Sequence, residues 1–109
     1  MYETARENLA RIISLLDADG EKGWAAFFSG ALESFDRGDY RECARVILSG
    51  SGGAGSLDDL VLGQGKDGSG AFAWKPGHRR INGEFRELLA ALRDFALDAR
   101  SASTREQSP

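Results

Sequence analysis

Four stretches of this chain repeat apolar residues at the three-and-four spacing of an α-helix, and turns rich in glycine separate them. In the first, about residues 3–17, Leu9, Ile12, Ile13 and Leu16 fall on one face. Asp17-Ala18-Asp19-Gly20 ends it, with Gly20 suited to a left-handed cap. The second, about 22–37, carries Trp24, Phe27, Phe28, Ala31, Leu32 and Phe35 as a wide stripe, and aromatic side chains bury large areas. Arg37-Gly38-Asp39 breaks it, Gly38 as the stop and Asp39 as the next N-cap. The third, about 40–49, opens with a capping box of Asp39 and Glu42 and turns Tyr40, Cys43, Ala44, Ile47 and Leu48 inward. The fourth starts after Asn82, a favourable N-cap, and keeps Phe85, Leu88, Leu89, Leu92, Phe95, Ala96 and Ala99 in helical phase. One-sided helices on short links bury their apolar faces against one another. The pattern therefore predicts a mainly α, four-helix bundle-like single domain over residues 1–100 and a flexible C-terminal tail over 101–109.

The interval between the third and fourth helices is of another kind. Gly50-Ser51-Gly52-Gly53-Ala54-Gly55-Ser56 needs no large side chain and permits several positive φ angles. Ser56 and Asp59 have capping-box spacing, which predicts a short helical turn from Leu57. Leu60-Val61-Leu62 reads as the end of that turn or as a short buried strand. In the second case Ala71-Phe72-Ala73-Trp74 pairs with residues 60–62 as a small hairpin across the polar loop Gly63–Gly70. Lys75, His78, Arg79 and Arg80 read as a solvated basic loop.

Composition narrows the chemistry. The apolar fraction is 41% but strongly clustered, so a core rather than disorder is expected. A net charge of -3 without a basic stripe argues against nucleic-acid binding. One cysteine, Cys43, excludes an intrachain disulfide, and with a single histidine it excludes an ordinary structural zinc site. No segment reaches the roughly 20 apolar residues of a membrane span. Met1-Tyr2-Glu3-Thr4 does not open a signal peptide, so a cytoplasmic location is expected. Asp17-x-Asp19 lacks the remaining ligands of a calcium loop. Gly50–Gly55 and Gly63–Gly68 both match the spacing of a dinucleotide fingerprint, but neither stands between a strand and a helix as that motif requires. His78 beside two arginines has no nucleophile to activate, so no catalytic residue, cofactor or metal is expected.

Residues Gly52-Gly53-Ala54-Gly55-Ser56-Leu57-Asp58-Asp59-Leu60-Val61-Leu62 carry a more specific signal. The segment resembles a family of small bacterial proteins known only as a domain of unknown function, with the pattern Gly-Gly-x-Gly-Ser-(Leu/Phe)-(Asn/Asp)-Asp-Leu-(Val/Ile)-Leu. A preceding helix and a following asparagine-initiated, leucine-rich helix complete the resemblance, which extends over residues 24–97. It implies a bacterial origin, and the family name carries no activity. In size, acidity and helical character the chain is also similar in type to immunity proteins that neutralise secreted toxins.

The functional expectation is therefore a non-catalytic protein-interaction module, in its most concrete form an immunity protein with a toxin domain as partner. Its binding residues would be Gly52, Gly53, Gly55, Ser56, Asp58 and Asp59, the acidic pair meeting a basic surface beside the Gly63–Gly70 loop. The alternative is a small-ligand or anion-binding regulatory domain. In that reading backbone N–H groups of Gly52 to Ser56 form a nest for a phosphate or carboxylate.

Overall fold

In a computed structural model, which describes residues 2–51 and 55–107, the chain forms four helices and one small antiparallel sheet. The helices are α1 (Glu3–Ala18), α2 (Lys22–Asp36), α3 (Tyr40–Ser49) and α4 (His78–Gln107). Between α3 and α4 lie a 3-10 turn (Leu57–Asp59) and the strands β1 (Gln64–Lys66) and β2 (Phe72–Trp74). Helix α1 packs on α2, α2 on α3, α3 on α4 and α4 back on α1, a closed bundle-like ring.

The apolar stripes meet at the centre of that ring. Leu9, Ile12 and Leu16 of α1, Phe28 and Ala31 of α2, Cys43, Ala44 and Ile47 of α3, and Phe85, Leu92 and Ala96 of α4 are wholly buried. Each large side chain of this kind contributes about 1.5–3 kcal/mol on burial. Burial also pushes the Cys43 thiol up to about 12, so it behaves as a small core hydrophobe. Glycines close the helices as their spacing suggests: Gly20 (φ +83°) follows α1 and Gly38 (φ +78°) follows α2. Asp39 caps α3 by accepting from the Glu42 N–H at 3.2 Å. Glu42's own carboxylate turns to Arg45.

Two expectations need correction. Helix α4 begins at His78, not after Asn82. The Pro76-Gly77 turn, with Gly77 at φ +77°, reverses the chain early enough for Ile81 N–H to donate to Gly77 O. Asn82 thus lies one turn inside the helix, where its side chain is free for another task. The hairpin is also built from other residues. Strand β2 pairs with Gln64–Lys66, not with 60–62, in the register Gln64 to Trp74, Gly65 to Ala73 and Lys66 to Phe72. Part of the segment expected as loop is therefore strand β1.

Candidate functional site

The 3-10 turn and the residues after it form a seam along α4. Leu57 is wholly buried and sits over Gly50, with Leu57 N–H donating to Gly50 O at 2.9 Å. A Cβ on Gly50 would lie 2.5 Å from Leu57 Cδ1, so Gly50 serves close packing; its φ of -80° is open to any residue. At Leu60 the backbone is extended, and among the described residues no strand pairs with 60–62. A buried or half-buried backbone needs partners, and here side chains of α4 supply them. Asn82 Oδ1 accepts from Leu62 N–H, and Asn82 Nδ2 donates to Leu62 O, both at 2.8 Å. One amide thus stands in for the peptide of an absent strand, while Nδ2 also donates to His78 O at 2.9 Å. One turn on, Arg86 Nη1 donates to Asp58 O at 3.2 Å and Nη2 to Leu60 O at 2.9 Å.

Of the binding residues expected from the sequence, Gly55, Ser56, Asp58 and Asp59 fall on or beside this seam. Gly52 and Gly53 lie outside the described residues. Gly55, at φ +79°, donates its N–H to Asp59 Oδ2 at 3.0 Å. Ser56 caps the turn, its Oγ accepting from Asp58 N–H at 3.3 Å. One donor of the expected Gly52–Ser56 nest, the Gly55 N–H, is thus engaged by the chain's own carboxylate. Asp58, for which capping chemistry gave no role, is joined to α4 by Arg93 Nη2 on Oδ1 at 2.5 Å. Both acidic side chains therefore hold the turn together. Among the described residues no group of three His, Cys, Asp or Glu side chains is placed to hold a metal ion.

The hairpin is seated at a different point. Gly63, at φ +82° and buried, donates its N–H to Asp19 Oδ1 at 3.1 Å and accepts from Lys75 N–H at 2.7 Å. Lys75 Nζ also reaches Asp19 Oδ1, at 3.2 Å. Asp19, part of the acidic pair rejected as a calcium loop, therefore ties the hairpin to the end of α1. A Cβ on Gly63 would lie 2.5 Å from His78 Cβ, so only glycine fits between hairpin and helix. At the tip, Asp67 Oδ1 accepts from Ser69 Oγ, Ser69 N–H and Ala71 N–H. These bonds, led by the Ser69 hydroxyl, hold the Asp67 carboxyl below the usual carboxylate range.

Strand alternation gives this hairpin two unlike faces. Gly65 and Ala73 share one face and are half-buried, with the Lys75 stem against Gly65. Gln64, Lys66, Phe72 and Trp74 share the other face and are exposed, Phe72 at 57% and Trp74 at 47%. The two rings meet edge to face at 5.0 Å, and Trp74 stacks on half-buried His78 at 4.5 Å with 15° between the planes. Sequence reasoning missed this patch because pairing 71–74 with 60–62 concealed what lay opposite the aromatics. The available signal was Gln-Gly-Lys against Phe-Ala-Trp, with small residues at both central positions.

Residues 17–69, a little under half of the chain, match the family model described as a domain of unknown function, DUF6966. The match includes the turn and β1 and stops short of β2 and α4. No curated protein and no solved structure matches the chain. Among the described residues no helix is long and apolar enough to cross a membrane.

Proposed function

We propose that the chain is a non-catalytic protein-interaction module whose contact surface is the aromatic face of the hairpin. A single observation supports this reading. The hairpin puts glycine and alanine on its half-buried face and phenylalanine and tryptophan on its exposed one, the reverse of what burial favours in an isolated chain. Exposed aromatic anchors of this kind dominate the energy of protein–protein contacts once covered. Their ordered ring geometry lowers the entropy cost of covering them.

An immunity protein that occludes a toxin is the concrete form of this proposal. Its contact moves from Asp58 and Asp59, which hold the turn, to Phe72, Trp74 and the cations around them. The test uses the product of the gene immediately upstream, purified and titrated into this chain by calorimetry. Binding is expected, with a loss of at least tenfold in the double variant Phe72→Ser/Trp74→Ser and little change in Asp59→Asn. Absence of binding, or binding indifferent to the double variant, would overturn the reading.

A further inference from the structure

Resting on that reading, we infer that the outer edge of β2 takes up an extended, acidic segment of the partner protein as a third strand. The backbone pairing carries the first half of the argument. Lys75 N–H donates to Gly63 O and Asp67 N–H donates to Ala71 O across the hairpin. In an antiparallel pair, hydrogen bonding toward the partner strand recurs at every second residue. With the register fixed, Gly65 and Ala73 complete that set, and the N–H and C=O groups of Phe72 and Trp74 point away from β1. The aromatic side chains and the unpaired edge of the backbone thus belong to the same two residues. No backbone or side-chain hydrogen bond from elsewhere in the described chain reaches the Phe72 or Trp74 main chain. A strand edge of this kind is a template for another strand, and pockets beside alternate side chains then set specificity.

Charge gives the second half. From Gln64 to Arg80 there are four basic residues, Lys66, Lys75, Arg79 and Arg80, and one acidic residue, Asp67. This segment carries an excess of three positive charges, two once Lys75 is set against Asp19, on a chain whose net charge is -3. Asp67 is turned into its own loop and Lys75 is held by Asp19, which leaves Lys66, on the aromatic face, directed to solvent. Such a field favours an acidic segment and disfavours a second copy of the same hairpin, whose cations would face their own kind. A single-stranded nucleic acid also stacks on aromatic rings. Its sugar–phosphate backbone offers acceptors but no row of donors to match the C=O groups of Phe72 and Trp74, so the edge is suited to a polypeptide.

The experiment selects from a random peptide display library on the immobilised full chain, with the Phe72→Ser/Trp74→Ser variant as counter-bait. Peptides enriched on the wild type are expected to alternate apolar residues with Asp or Glu. N-methylation of alternate backbone amides in one such peptide should weaken binding at least tenfold. In the bound state the Phe72 and Trp74 amides should become protected from hydrogen exchange. No enrichment, enrichment of basic or helix-forming peptides, or indifference to N-methylation would overturn the inference. So would tighter binding of a short oligothymidine to the same two residues, or dimerisation of the free chain through β2. If the upstream gene product binds through Phe72 and Trp74 while the peptides fail, strand addition falls and the interaction reading stands.

Discussion

The two halves of the insert between α3 and α4 treat their backbone in opposite ways. Residues 57–62 have no strand beside them, yet Asn82 and Arg86 bond the main chain of Asp58, Leu60 and Leu62, and Leu57 and Leu62 are wholly buried. Residues 64–74 pair with one another as strands, yet their outer edge is open and their largest side chains stand about half exposed. The first half is part of the fold. The second is held at its base by Gly63 and Asp19 and presents a surface that the fold does not use. Where the backbone's polar groups go thus separates the two roles, although the halves lie next to one another in sequence: residues 57–62 contain no glycine and are tied to α4, whereas 64–74 contain three and are left with an open edge.

Substitutions should divide along the same line. The largest effect is expected from Leu57→Ala, which empties a buried site over Gly50 and should cost about 2–4 kcal/mol, read by chemical denaturation. A loss below about 1 kcal/mol would mean that the turn does not belong to the core. Asn82→Ala leaves Leu62 N–H and O without their partners and should cost about 2 kcal/mol. Because Asn82 lies within α4 and does not cap it, Asn82→Asp should fail to restore stability, whereas an N-cap position would tolerate Asp well. In the other half, Phe72→Ser/Trp74→Ser should cost less, about 1 kcal/mol, since both rings are about half exposed and pack on each other and on His78. A thermal-melt shift as large as that of Asn82→Ala would erase the contrast between the halves.

The smallest effect concerns pH. The folded Asp67 carboxyl titrates below its unfolded value, so its hold on the hairpin tip is complete above the ordinary carboxylate range. That hold is lost as pH falls through the lowered folded value. Amide shifts of Ser69 and Ala71 followed through an acid titration should give a midpoint below that of a free peptide of the same sequence. Equal midpoints would show that the tip is not held in this way.

The helices were legible because their signal is local. Phe28, Ala31 and Phe35 share a face by spacing alone, and the same faces are buried in the folded chain. Asp39 and the glycines after α1 and α2 were legible for the same reason, since capping and positive φ depend on neighbours in sequence. Asn82 shows where such reasoning stops. Asparagine before an amphipathic run has the composition of an N-cap, but its bonds to Leu62 span twenty residues. The candidate site was legible only in outline. Ser56 and Asp59 do support the turn, whereas the pairing of Asp58 with Arg93 spans thirty-five residues and leaves no trace in local pattern.

By itself the sequence determined that this chain would be mainly helical, with four one-sided helices and a glycine-rich interval before the last. Apolar periodicity and capping act over a few residues, and those forces are written in order along the chain. Only the tertiary structure decided which strand β2 pairs with, and hence that Phe72 and Trp74 face water together. Strand register rests on contacts that a three-residue strand cannot specify alone, and a slip of one residue exchanges the two faces. Here the register is held at both ends, by the Asp67 turn at the tip and at the base by Gly63, fitted against His78 and bonded to Asp19 and Lys75.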